Sequence, residues 1–323
     1  MSADDVREHP DQWADRRAEL VTASDMGSIL GLDDAYSTPF ATYLRKISRD
    51  DKPDAIEMRI GRHFESLVLD MFAEANPDLT LTPGGLYVSS AHPHIGATFD
   101  ALAYGQSSAP RPVQAKTTYS FSMLDPDGRP VWGEPPDGEI PGPYLAQVMT
   151  EIAVADADEG YLPVLPTGTR GEPRVYTVKR DDAEIAAIVE TSERFIDMLL
   201  NGTPPPIDWR PETTAALKRL YRDVEHVDAV VPKSLALRAR AAHAAVKLAK
   251  RRLGWVENEL RDRMGPATRA VTRDGDVIAT RSLYDQSHIA ADGLRAKHPR
   301  IAARFTRKTD VDKLLIKQPK IGD

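Results

Sequence analysis

Two short stretches, Ala97-Thr98-Phe99-Asp100-Ala101 and Val113-Gln114-Ala115-Lys116-Thr117, hold residue types suited to metal-assisted hydrolysis of a phosphodiester. Such hydrolysis needs acidic oxygen ligands held close together, a group that positions water, and a cation for the charge that develops on the phosphate. An acid at the end of one strand and an acid-x-Lys on the next supply these, because residues i and i+2 of a strand share a face. Asp100 would bind metal, and Lys116 would approach the attacking water or the scissile phosphate. Gln114 stands where the second acid of that pattern belongs. Alone the pattern is weak, since an edge-strand lysine is usually a solvated charge. An acid between Phe99 and Leu102 in a strand is harder to explain without partners.

The two stretches must lie on neighbouring strands, and the sequence supplies the elements around them. Ile95 to Tyr104 and Arg111 to Thr118 read as strands separated by the loop Gly105–Pro110. Leu79 to Leu81 and Gly85 to Val88 read as a hairpin or a bent strand pair. Ala55 to Ala75 reads as a helix, with Ile56, Ile60, Phe64, Leu67, Val68, Met71 and Phe72 on one stripe and Asn76-Pro77 ending it. Residues 12–32 read as a helix entry in which Thr22, Ser24 and Asp25 offer capping groups, and Pro39 starts a short helix through Leu44. Residues 124–143, rich in Pro, Gly and Asp, read as a loop. A helix from Tyr144 to Ala155, a strand pair Tyr161–Leu165 and Arg174–Lys179, and a helix Asp182–Leu200 complete the series. This order suits an α/β sheet flanked by helices. No G-x-G-x-x-G follows a strand and no P-loop sequence is present, so neither nucleotide-binding fingerprint applies.

Asn201-Gly-Thr-Pro-Pro-Pro206 reads as a linker, and the style changes beyond it. Residues 233–264 form a long Ala- and Arg-rich helical pattern, with Leu235, Leu237, Val246, Leu253, Val256 and Leu260 as expected buried positions. Arg269 to Arg281 around Asp274-Gly275 is a hairpin signal, and 286–323 is basic, helical to irregular. The expected domains are a core over 1–205 and a basic helical extension with a small β-hairpin over 206–323. Net charge is −7, but it is unevenly spread. From Arg210 onward there are 25 Lys and Arg against 14 Asp and Glu; before it, 17 against 35. A basic arm can neutralise phosphates and an acidic body can hold divalent metal. The absence of cysteine removes thiolate sites and leaves oxygen or imidazole ligands. His92-Pro-His94 reads as a turn before the strand rather than a metal cage. No stretch has the length and apolarity of a transmembrane helix, and the polar, acidic start is unlike a secretory signal. The expected location is cytoplasmic, that of the host cell if the chain is phage-encoded.

Five segments in order resemble the lambda exonuclease and YqaJ family of phage recombination nucleases, within the PD-(D/E)XK superfamily. They are Arg17-x-x-x-x-Thr22-Ala23-Ser24, Gly61-x-x-x-Glu65, Thr98-x-Asp100, Gln114-x-Lys116 and Tyr144-Leu-Ala-Gln147-Val148. The resemblance covers roughly residues 13–200; the last third resembles only some YqaJ-like members. It implies a restriction-endonuclease-like α/β core, a mixed central sheet flanked by helices, with a helical C-terminal extension. It implies Mg²⁺ or Mn²⁺, two ions, held by Glu65, Asp100 and position 114. Lys116 would act on water or phosphate, and Gln147 would orient active-site groups. Arg17, Ser24 and Thr98 would contact the 5′-phosphate of a DNA end. The implied activity is digestion of linear double-stranded DNA, 5′ to 3′. The implied partners are duplex ends, a single-strand annealing protein and copies of the same chain, a trimer being one form.

Gln114 departs from the family's Glu-x-Lys. An amide oxygen can still coordinate a hard cation, but it brings no charge. Loss of one electrostatic group in a catalytic site commonly costs about 10²–10³ in rate. The chain is then an inactivated or weakened nuclease, with Gln114 either engineered or natural. The alternatives are a nuclease-fold protein that binds DNA or builds an assembly without cutting, and a related endonuclease.

Overall fold

The computed structural model describes residues 10–49, 56–105, 109–125, 128, 130–136, 138–168, 172–223, 225, 227–285, 287 and 289–307. The chain divides into two compact units at Arg222/Asp223.

The first unit runs α1 (Pro10–Ala18), β1 (Val21–Thr22), α2 (Ala23–Ile29), α3 (Pro39–Ser48), α4 (Ile56–Ala75), β2 (Thr80–Val88), β3 (Ile95–Tyr104), β4 (Arg111–Val113), β5 (Lys116–Thr118), α5 (Gly142–Ala155), β6 (Glu159–Pro166), β7 (Arg174–Lys179), α6 (Asp182–Leu200) and α7 (Pro211–Leu220). Seven strands form one mixed sheet. β2 is antiparallel to β3, β3 to β4, and β6 to β7; β1 is parallel to β3, and both β4 and β5 to β6. One face is covered by α2, α5 and α6, whose Met26, Val148, Ile152, Ile188 and Phe195 join Leu162, Val164 and Tyr176 in the largest core cluster. On α4, Val68 packs with Ala115 and Leu165, and Phe72 with Ala101, Ala103 and Val113. The sheet is mixed and flanked by helices, as expected.

The sheet forks where the chemistry was expected. Val113 pairs with Ala101 of β3 and also with Tyr161 of β6. Beyond it the chain leaves β3 and follows β6, with Lys116 opposite Val164. The expected single strand Arg111–Thr118 is therefore two, interrupted at Gln114 and Ala115. The reason is a competing acceptor: the Ala115 N–H donates to the Asp100 carboxylate at 2.9 Å rather than to a backbone carbonyl of β3. β2 is one strand, and at its middle Gly84 is obligatory. A Cβ there would stand 1.9 Å from the Phe99 carbonyl oxygen, beside Asp100.

Residues 206–222 belong to the first unit, so the boundary lies beyond the expected 205/206. Arg210 is the reason. The residue is 8% exposed, and its guanidinium donates to the carbonyls of Leu32 (2.9 Å), Ala35 (2.6 Å) and Ser37 (3.1 Å). Thr213 and Thr38 share a buried hydroxyl contact at 2.7 Å. Arg210→Ala strands those carbonyls, and unmet buried acceptors cost about 1–3 kcal/mol each. Denaturant unfolding of the first unit should therefore show a loss of at least about 3 kcal/mol; a loss below about 1 kcal/mol would mean that α7 is not anchored this way.

The second unit holds α8 (Lys233–Met264), the hairpin β8 (Arg269–Val271) with β9 (Val277–Thr280), α9 (Ala291–Lys297) and α10 (Pro299–Phe305). Gly275 in the hairpin loop has φ +94°, which explains a glycine there. The expected apolar seam of α8 is not buried within the described residues: Leu235, Leu237, Val246, Leu253 and Val256 are 44–58% exposed. Helical spacing marks a face, but burial needs a surface to lay it on, and β8 is a short one. The end of the basic tail, 308–323, lies outside the described residues.

Candidate active site

Asp100 stands on β3 at the fork, with one carboxylate oxygen taking two hydrogen bonds across it. Gln114 Nε2 is one donor and the Ala115 N–H is the other. Gln114 in turn accepts through Oε1 from Gln147 Nε2 at 2.8 Å, and the same Gln147 nitrogen donates to Glu151 at 2.9 Å. α5 supplies both residues, one turn apart, from a helix otherwise buried through Ala146, Val148, Met149 and Ile152. Lys116 enters from the start of β5, its Nζ 5.5 Å from the Tyr144 ring centre. Glu65 arrives from α4, which packs against β5 and β6.

Ser24, Glu65, Asp100, Gln114, Lys116 and Gln147 all line one cavity of about 1060 Å³. Arg17 sits at Ser24, donating to its hydroxyl at 2.7 Å. Thr98 is not part of the lining; its hydroxyl is buried on β3 without a hydrogen-bond partner among the described residues. The expected capping role of Thr22, Ser24 and Asp25 is not what they do. Thr22 is the N-cap of α2 but makes no side-chain cap, and its hydroxyl donates to Asp25 at 2.9 Å. Asp25, 2% exposed, also accepts from Arg45 at 2.6 Å and pairs with Lys46 at 3.2 Å. Arg45 lines the cavity, so this acid holds a second guanidinium near Ser24.

Burial is the main reason Asp100's carboxyl is raised to about 7; Lys116 opposes it and Glu65 adds to it. Burial likewise pushes Glu151 up to about 8, with Asp100's charge adding. Both shifts have one sign for stability. Between the ordinary carboxylate range and about 7–8 the unfolded chain gives up protons that the folded chain keeps. Metal-free protein should therefore lose thermal stability as pH rises from 5 to 8 and level off above that, and Mg²⁺ should flatten the curve. A melting temperature that climbs across that window without metal would contradict these assignments.

Among the described residues no three His, Cys, Asp or Glu side chains stand together as a ready metal cluster. Glu65, Asp100 and Gln114, which carry oxygen donors, line the same cavity. Oxygens suit hard cations, and Mg²⁺ is commonly bound by one or two carboxylates with waters and substrate phosphates completing its shell. Mutual repulsion of Glu65 and Asp100 is what a cation would relieve. In this arrangement Gln114 turns its nitrogen to Asp100, so ligation by Gln114 requires its amide to turn. The donor set thus fits a hard divalent cation.

Residues 12–158 match the family described as the YqaJ-like viral recombinase domain. This segment is similar to that domain. All eight candidate site residues lie inside it, while β6 and β7 complete the sheet beyond its end. Among solved structures, the chain is similar to an alkaline exonuclease from Laribacter hongkongensis, at 17% identity over 60% of this chain and 94% of that one, TM-score 0.47. The same exonuclease in complex with dAMP matches at 16%, covering 66% and 98%, TM-score 0.45. A phage-related exonuclease from Haemophilus somnus 129PT matches at 11%, covering 57% and 96%, TM-score 0.39. No curated protein matches. Sequence reasoning missed Glu151 and Arg45, and read Asp25 only as a helix cap. A signal for Glu151 existed: it is an acid inside an apolar helix, four residues after Gln147.

Proposed function

We propose that the chain is a nuclease that hydrolyses linear duplex DNA from its 5′ ends with Mg²⁺ or Mn²⁺, two ions being expected, and that Gln114 weakens it without abolishing it. The observation carrying this reading is that Glu65, Asp100 and Lys116 line one cavity with Gln114 and Gln147. A bound divalent cation supplies charge at the scissile phosphate and lowers the pKa of a water. Lys116 stabilises the phosphate oxygens as charge grows there, and Gln147 holds Gln114 against Asp100. Water adds to phosphorus and the P–O3′ bond breaks. The products are a 5′-mononucleotide and a shortened strand bearing a new 5′-phosphate. That phosphate is what Arg17 and Ser24 suit, a guanidinium fork beside a hydroxyl.

The end-binding role predicts discrimination. A duplex with 5′-phosphate should be digested faster than one with 5′-hydroxyl, and Arg17→Ala should lower the rate on phosphate ends by about 10–100-fold, the worth of a hydrogen bond to a charged group. Equal rates on both ends would leave Arg17 and Ser24 without that role.

The exposed basic extension, including Lys250, Arg251 and Arg252, gives a second surface for DNA backbone. A ring-forming homo-oligomer, with a trimer as its simplest form, and a single-strand annealing protein are the proposed partners. Light scattering at micromolar concentration should give a mass above that of one chain; a monomer would remove the ring. Gln114 favours one second reading, a nuclease fold that binds DNA without cutting. That reading predicts metal-dependent cleavage from no form of the chain.

A further inference from the structure

Glu151 is fully buried, and one of its oxygens, Oε2, has no hydrogen-bond partner among the described residues. Its other oxygen accepts from Gln147. From there the polarity of the network runs one way. Gln147 Nε2 donates to Glu151 and to Gln114 Oε1, Gln114 Nε2 donates to Asp100, and Asp100 also accepts from the Ala115 N–H. With that oxygen of Glu151 accepting, the Gln147 amide presents its nitrogen between the two. Gln114 must then offer its oxygen to Gln147 and its nitrogen to Asp100. A carboxylate at 114 could accept from Gln147, but its second oxygen would face Asp100, acceptor against acceptor. It would also share one donor nitrogen with Glu151.

We infer that Glu151 is the positioning residue of this site, fixing through Gln147 the direction of the Gln114 amide, and that positions 114 and 151 are a matched pair with the amide at the first and the acid at the second. The inference rests on the nuclease reading only for its catalytic consequence. It makes Gln114 a partner of Glu151 rather than an isolated loss of a ligand.

A four-member cycle tests it: the chain as it stands, Gln114→Glu, Glu151→Gln and the double substitution, melted with chelator at pH 7.5. Gln114→Glu should lower the melting temperature by about 3 °C beside Glu151 and by much less beside Gln at that position, a coupling of about 1 kcal/mol. Equal shifts in the two backgrounds would overturn the pairing. Cleavage gives the second readout. Glu151→Leu should lower kcat about tenfold with KM unchanged, and Glu151→Gln, which keeps an acceptor for Gln147, should recover the loss. Equal kcat for Glu151→Leu and the parent would overturn the positioning role. Should no form cut DNA, the nuclease reading falls, and the metal-free melting cycle decides the pairing by itself.

Discussion

Asp100→Asn is expected to lower cleavage of linear duplex DNA by at least about 10³-fold while leaving the protein folded and no less stable. The catalytic loss follows from removing the carboxylate nearest the fork, in a site that already has an amide at 114; a single electrostatic group in such a site is worth about 10²–10³, and here no neighbouring acid on β3, β4 or β5 can substitute. Stability is expected to survive for a different reason. Burial holds this carboxyl up at about 7, so its ionised form opposes folding near neutral pH. Asn keeps an oxygen that can accept from the Ala115 N–H, the bond that draws the chain away from β3. Cleavage assays paired with thermal melting separate the two effects. A variant cutting within tenfold of its parent would remove Asp100 from the chemistry.

Lys116→Met is expected to lower kcat by about 10²–10³-fold with little change in KM, because the charge is needed most when the phosphate is most negative. It should also move the pH dependence. Lys116 is the strongest influence holding Asp100's carboxyl down, so its removal raises that pKa further and the rate should rise at higher pH than in the parent. Methionine keeps the length of the stem against Tyr144, which limits the loss of packing. A wild-type kcat, or a reduced kcat with an unmoved pH profile, would deny Lys116 this double role.

Much of the site was legible because it lies in regular elements. The stripe on α4 was readable, and with it Glu65, although the core takes chiefly Phe64, Val68 and Phe72, while Ile56, Ile60 and Leu67 stay 41–59% exposed. β3 and α5 were readable as a strand and a helix, and they brought Asp100 and Gln147 into register. The fork was not. Whether Gln114 continues a strand or leaves it depends on the Asp100 side chain and on parallel pairing with β6, neither of which is local in sequence. β1 was hidden for the same reason: two residues become a strand only because Ile95 and Gly96 offer a parallel edge. The anchoring of α7 depends on Arg210 reaching carbonyls about 175 positions earlier in the chain. The seam on α8 failed in the opposite sense: its periodicity is real, but the described residues lay little on it.

Metal-dependent cleavage by this cavity despite Gln114 is tested by digesting a 5′-phosphorylated linear duplex with the chain and with Gln114→Glu, each with Mg²⁺ and with chelator. The expected result is slow cutting by the chain, faster cutting by Gln114→Glu, and none by either once the metal is removed. Binding of the duplex by both forms, with no cutting by either in Mg²⁺ or Mn²⁺, would contradict the claim and leave a nuclease fold that holds DNA without hydrolysing it.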